Sequence, residues 1–459
     1  MSEPQRDRRP WDRLAALLLL ILPAVIFWRD GFFYILDDWT ALIHLTQHPF
    51  GEYLILPDGE QWFPLFHVVY YGLVRLAGER YTLLVGLNCL GTGLNAWLLY
   101  LFFRRHWAPG LSFSLSLLYA AAALHHAIAW NAFYVCYLIS LAGFLGALLL
   151  TDSYCRQGGA GRLAGIAGLA LAAVLCHNYP LVGLLALPLY ALLMGPEAAG
   201  GRKAALPVMG MVFLAWLFFA LGYVIFAGAG ATTSHNRDLW AGLPGAGYWV
   251  HMFYGAVLSP FLYLFWGHYH FPVWTYVAGV AALAGCLAII WRWGSPAERR
   301  LALWALAANA LPFVLISLTR YQRSLTQAFV ARYGIFTLLG ALLLAGAAWR
   351  LAAARLTPPW RRALGLGLMG AVLAGQFLSL PLWESKYREM SRAARYGYET
   401  LGRPDLPPQS APPVEFQKFC PTAFPSLSPA QVQAIRQFFR GQDNLGIGSV
   451  RPGPEKNLR

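Results

Sequence analysis

Long apolar runs, separated by short polar stretches, dominate this chain, and they recur at the ~20-residue length that crosses a bilayer. Eleven such runs are predicted, at about 14–28, 83–103, 109–126, 132–151, 162–177, 180–195, 205–227, 272–291, 301–318, 333–350 and 363–382. Two longer polar-punctuated stretches interrupt the series, at about 29–82 and 228–271. In the first, Trp39, Leu42, Ile43 and Thr46 share one face of a helix expected to begin after Asp38. A second helix is expected from about Trp62 to Gly78, opened by Pro64 in its first turn. On it His67, Tyr71 and Arg75 recur every four residues as a polar stripe, which suits a helix lying in the membrane interface. The second stretch is expected to hold a similar membrane-lying helix near 247–266.

The pattern predicts an all-α polytopic membrane protein of about eleven transmembrane helices, with interfacial helices in its external loops. Arginine placement orients it. Arg6, Arg8, Arg9 and Arg13 precede the first run, and Arg104, Arg105, Arg156, Arg162, Arg292, Arg299, Arg300, Arg350, Arg355, Arg361 and Arg362 fall in segments on the same side. The positive-inside rule then puts the N-terminus in the cytoplasm and the C-terminus outside. The first run has no small-residue cleavage site and is expected to stay as a signal anchor. Residues 1–382 are expected to form the membrane domain, and 383–459 a small external Pro-rich tail. In that tail, Ser428-Pro429-Ala430-Gln431 signals a short helix stopping at Gly441.

Composition agrees, with 58% hydrophobic and 12% charged residues; a soluble surface needs more charge. The formal net charge of +14 does not indicate nucleic acid, because the basic residues sit at span ends and form no basic patch interleaved with aromatics. Among the six cysteines there is no CxxC motif and no disulfide framework. The Ala, Gly, Leu and Arg bias, with few Lys, points to a bacterium of GC-rich genome and hence to its inner membrane.

Two features resist a purely structural reading. Asp37 and Asp38 stand side by side at the external end of the first run, in a chain with only 21 acidic residues. Arg75, Arg237, Arg320, Arg323 and Arg332 lie on the external side, where anchoring does not explain them. The bland alternatives are that Asp38 caps the helix starting at Trp39 and that the arginines snorkel to lipid headgroups. His125, His126, His177 and Asn178 read as interfacial polar residues, and no ligand spacing suggests a metal. Gly91 and Gly93 read as packing positions.

Three short motifs, in order and on one side of the membrane, resemble the GT-C class of membrane glycosyltransferases, specifically its protein O-mannosyltransferase-like members. They are Leu36-Asp37-Asp38-Trp39, then Trp62-Phe63-Pro64-Leu65-Phe66 with Leu87-Asn88 and Leu94-Asn95, and last Ala331-Arg332-Tyr333. The resemblance implies a sugar taken from a polyprenyl-phosphate carrier at the external face. It implies that Asp37 is the base toward the acceptor, with Asp38 the alternative, and that Arg332 holds the carrier phosphate. The second external segment lacks a D-x-D pair, so a metal-independent reaction is expected and no cofactor; the lipid-linked sugar is substrate.

The chemistry fits these residue types. An acceptor hydroxyl must lose a proton as it attacks the anomeric carbon, and a carboxylate in reach takes it. The departing phosphate gathers charge, which a planar guanidinium stabilises through two oxygens. Arg320 and Arg323 are the alternative phosphate ligands. Arg237 with His235, and His67 with Arg75, are candidates for donor or acceptor contacts. The competing classes are a lipid-linked-sugar flippase or transporter, which would call for ionisable residues at mid-span, and a non-catalytic scaffold. Expected partners are the carrier, membrane lipids and an acceptor that is protein, lipid or glycan.

Overall fold

The computed structural model describes residues 9–35, 37–57, 62–195, 201–227, 245–268, 270–320, 331–401 and 429–439. Every regular element among them is helical. In chain order these are α1 (Arg9–Phe27), α2 (Asp37–Gln47), α3 (Phe50–Ile55), α4 (Pro64–Ala77), α5 (Tyr81–Phe103), α6 (Pro109–Ala120), α7 (His126–Ala129), α8 (Val135–Gln157), α9 (Ala160–Cys176) and α10 (Pro180–Gly183). They continue with α11 (Ala186–Met194), α12 (Ala205–Gly222), α13 (Ala246–Phe253), α14 (Ser259–Phe265), α15 (Val273–Trp293), α16 (Pro296–Arg320), α17 (Ala331–Ala353), α18 (Pro358–Leu401) and α19 (Pro429–Phe439).

The eleven predicted runs fall on these helices unequally. Eight helices among the described residues have the length and apolarity to cross a membrane, or nine if the pair 109–120 and 123–129, bent by 43°, is one span. The remaining two runs lie on shorter apolar helices, Ala160–Cys176 and Pro180–Met194. Prolines open α4, α6 and α10, where the missing N–H is not needed. Gly158 and Gly159, at φ +63° and +105°, reverse the chain between α8 and α9 in a conformation that side chains resist. Gly93 packs as expected: a Cβ there would stand 2.6 Å from the Leu20 carbonyl oxygen, so α5 meets α1 backbone to side-chain-free backbone. Gly91 faces the Leu138 side chain.

The structure differs from the sequence reading in four places. First, α2 begins at Asp37, before Trp39, so both acids occupy its first turn. Second, α18 runs unbroken through residues 382 and 383, and its buried Trp383, Tyr387 and Tyr398 join the main core. Third, α19 also contributes Val432, Ile435 and Phe438 to that core, so the described part of the tail belongs to the bundle. An apolar stripe on a nominally polar segment drives this docking. Fourth, His125, His126 and His177 are buried, not interfacial. His125 Nε2 bonds the Tyr119 carbonyl at 2.8 Å, the His126 ring stacks on Trp383 at 3.8 Å, and His177 Nδ1 accepts the Tyr179 N–H at 2.9 Å. Each ring finds a backbone or aromatic partner, which lowers the cost of burying its polar atoms. Cys89, Cys136, Cys155, Cys176 and Cys286 are all free thiols.

Candidate functional site

At the end of the bundle where α1 finishes and α17 starts, three segments far apart in sequence converge. The chain leaves α1 at Phe27 and enters α2 through a buried aromatic strap, Phe32, Phe33 and Tyr34. The first turn of α2 then presents Asp37 and Asp38 in different directions, because neighbouring helical residues are about 100° apart.

Asp38 points inward and is fully buried. Its Oδ1 accepts the Phe133 N–H at 2.6 Å, and its Oδ2 accepts the Tyr81 hydroxyl at 2.9 Å and the Ile35 N–H at 3.2 Å. The single Tyr81 proton is shared with the Trp130 carbonyl at 3.1 Å, and the Tyr81 oxygen accepts the Ala132 N–H at 3.0 Å. The Tyr70 hydroxyl reaches the Asp38 carbonyl at 3.2 Å. None of these bonds is to the N–H groups of the helix that follows, so Asp38 is not its N-cap. It ties the first loop to the turn before α8. Burial pushes its carboxyl up to about 7, against the pull of the Phe133, Ile35 and Tyr81 donors, with Asp37 adding to the rise.

Asp37 points outward, its side chain 49% exposed, and its Oδ2 lies 3.8 Å from Arg332 Nη1. Arg332 opens α17, and its Nη1 also donates to the Tyr134 hydroxyl at 2.5 Å. The guanidinium sits 5.5 Å from the Tyr134 ring centre and 5.3 Å from that of Tyr333. Arg332 Nε is buried with no hydrogen-bond partner among the described residues. A buried N–H held between two aromatic rings without an acceptor is costly, and it is a donor ready for an incoming anion. Further aromatics continue the wall: Tyr134 meets Tyr137 at 5.4 Å, Tyr137 meets His177 at 4.2 Å, and Tyr333 stacks on Tyr179 at 5.7 Å.

The other candidates lie elsewhere. His67 is in the core, bonded through Nδ1 to the Leu54 carbonyl at 3.3 Å and stacked on Tyr53 at 4.5 Å. Burial pushes its imidazole down to about 4, so it is neutral at pH 7. Arg75 faces α19: it donates to the Phe438 carbonyl at 3.2 Å and lies 4.8 Å from the Phe438 ring centre. These two are not brought to the Asp37–Arg332 pair. Arg320 is the last residue of α16. Arg237, His235 and Arg323 lie outside the described residues. No group of three or more His, Cys, Asp or Glu side chains that could hold a metal ion occurs among the described residues.

Tyr134 and Tyr81 escaped the sequence reading. Each sits in or beside an apolar run like many of the 23 tyrosines. Only the long-range contact to a charged partner marks them, and no local pattern reports it.

No protein-family model and no curated protein sequence matches the chain. Solved structures similar to it include the following two. One is the Archaeoglobus fulgidus oligosaccharyltransferase tethered through a disulfide bond to an acceptor peptide containing the NVT sequon, with TM-score 0.47, 14% identity, and coverage of 90% of this chain and 59% of that one. The other is ArnT from Cupriavidus metallidurans in the apo state, with TM-score 0.46, 15% identity, and coverage of 94% and 75%. This chain thus spans about three fifths of the length of the oligosaccharyltransferase.

Proposed function

We propose that this chain is an integral-membrane glycosyltransferase, which moves a sugar from a polyprenyl-phosphate carrier to an acceptor at the external membrane face. The observation that carries the reading is the meeting at 3.8 Å of Asp37 and Arg332, which are far apart in the chain. An exposed carboxylate beside a guanidinium with an unused buried donor is the minimal machinery for the reaction. The acceptor hydroxyl gives its proton to Asp37 as its oxygen attacks the anomeric carbon. The bond from that carbon to the carrier phosphate breaks, and the phosphate leaves with the bonding pair toward Arg332. A single displacement from the face opposite the phosphate inverts the anomeric configuration. Tyr134 holds Arg332 in place, and the aromatic wall offers sugar faces a surface on which to stack. Asp38 is buried and satisfied by three donors, so within the pair Asp37 takes the role of base.

A transporter reading draws no support from the buried acids. Among the described residues these are Asp38, which lies outside the candidate spans, and Asp152 and Glu298, which lie near the ends of theirs and not at mid-span.

The test uses purified protein with a polyprenyl-phosphate sugar. Asp37→Asn should lower transfer by ~10²–10⁴ while leaving carrier binding nearly intact. Arg332→Lys keeps the charge but loses the bidentate fork, so carrier affinity should fall by roughly one to two orders of magnitude. Full activity in Asp37→Asn removes the base, and failure of the unmodified protein to bind any such carrier overturns the reading itself.

A further inference from the structure

The opposite end of the bundle carries a second charged site. Arg332 and Arg350 lie 18 residues apart on α17, so about 27 Å of helix separates them, close to the hydrocarbon thickness of a bilayer. Around Arg350 is a cavity of about 340 Å³. It is walled by the ends of α5, α8, α11 and α17 and the start of α16, the end that the arginine bias assigns to the cytoplasm.

Its charges are layered. The acids lie beneath: Asp152 and Glu298 side chains are 5% and 9% exposed. Both are fully engaged by protein donors. Asp152 takes Arg105, Arg156 Nε at 3.0 Å, Arg156 Nη2 at 3.2 Å and the Tyr190 hydroxyl at 2.9 Å. Glu298 takes Arg350 and both the N–H and hydroxyl of Ser295, at 2.8 and 2.9 Å. The arginines lie above, with Arg156 and Arg350 side chains 52% and 50% exposed. Three guanidiniums face two carboxylates. A guanidinium has five N–H donors, and among the described residues Arg350 uses only Nη2. His106 also lines the cavity; burial pushes it down to about 4, so it adds no charge at pH 7.

A structural staple needs the ion pairs but gains nothing from an open cavity above them. Acids that anchor arginines by their inner edges while the outer edges line a membrane-level cavity form an anion site. We propose that this cavity binds a phosphate-bearing group between Arg156 and Arg350, at the membrane face opposite the Asp37–Arg332 pair. Anionic lipid headgroups at that face and free phosphate share this chemistry, and the cavity volume sits at the lower end for small-molecule sites.

The experiment measures binding to the full-length protein in detergent by native mass spectrometry and thermal shift. The probes are dioctanoyl-phosphatidylglycerol, dioctanoylglycerol with the same chains and no phosphate, and inorganic phosphate. Arg156→Gln with Arg350→Gln should weaken retention of phosphatidylglycerol about tenfold or more. Arg361→Gln with Arg362→Gln removes as much charge from the exposed start of α18 and should change it less than about twofold. Arg350→Lys keeps a partner for Glu298 and guards against misfolding, and should still weaken binding. Saturable protection by inorganic phosphate, lost in the same double variant, identifies the free anion as ligand; preference for the lipid identifies the headgroup. Equal weakening by the two double variants, or equal retention of dioctanoylglycerol, overturns the proposal. So does a loss of thermal stability in Arg156→Gln with Arg350→Gln that leaves phosphatidylglycerol and phosphate binding unchanged.

Discussion

Replacing Asp38 by Asn should change how the stability of the protein depends on pH. In the folded chain the carboxyl titrates near 7, against an ordinary value of 3.8. The native state therefore holds a proton that the unfolded chain has lost, and stability falls as pH rises between those values. The fall approaches ~1.4 kcal/mol per pH unit and levels off above the folded value. Between pH 5 and pH 8 the wild type should lose about 2.5 kcal/mol that Asp38→Asn, which has no charge to gain, does not lose. Asn also turns one N–H toward donors that need an acceptor, which costs about 1–3 kcal/mol at every pH. The variant should gain on the wild type as pH rises and be the more stable protein by pH 8. Other titrating groups, His67 among them, are common to both proteins and cancel. At about 2.1 cal/mol/K per residue, a 459-residue chain moves its midpoint roughly 1 °C per kcal/mol. The Tm gap should therefore shift by about 2–3 °C between the two pH values, read by tryptophan fluorescence in one detergent. A gap that stays constant with pH, or moves against the variant as pH rises, refutes burial as what governs this carboxyl.

Tyr134→Phe keeps the ring beside Arg332 but removes the 2.5 Å hydrogen bond; carrier binding by titration should weaken about tenfold, since bonds to charged groups are worth ~1.5–3 kcal/mol. A single Cys introduced at Thr40 should react with an impermeant maleimide added to intact cells, and one at Arg361 only after lysis; both positions are exposed, and the reverse result inverts the topology. Ile435→Ala is fully buried in the core shared by α19 and should cost about 2–5 kcal/mol locally, releasing α19 to limited proteolysis while membrane insertion proceeds.

The fold was legible because its signals are long. Runs near 20 apolar residues, prolines at first turns and Gly158-Gly159 between two runs place helices without tertiary knowledge. The sidedness of the arginines was enough to put Asp37 and Arg332 at one end of the bundle. What the pattern does not encode is which neighbour turns inward. Asp38 looks like a helix cap from its position before Trp39, yet its partners are Phe133, Tyr81 and Ile35, two of them distant in sequence. The stripe of His67 and Arg75 is genuine in register, but α3 and α19 cover it, and neither cover is visible in local periodicity. The break at residue 382 followed a fall in hydropathy, whereas α18 continues because Trp383, Tyr387 and Tyr398 bury a narrow stripe against the first loop and α7. Arg320, Arg323, Arg237 and His235 have no described side-chain environment.

The adjacent acids acquire opposite characters from the same helical turn. A base must reach solvent and acceptor, so its side chain cannot be gripped; a short loop at a membrane surface, left alone, would spread that side chain over many positions. Asp38 resolves the conflict by fixing the backbone one residue away, through donors from the Phe133 and Ile35 amides and Tyr81. The Phe133 bond is doubly useful, since the next residue, Tyr134, holds Arg332. One buried carboxyl thus sets the spacing between the exposed carboxylate and the guanidinium opposite it, at the expense of a dry site that pushes its own titration up to about 7. In the proposed reaction, preorganisation of this kind would lower the cost of bringing acceptor, base and leaving phosphate into line. It also explains why the two acids must be adjacent: one residue further along the helix, the anchor would face a different wall, and Asp37 would no longer be aimed at Arg332.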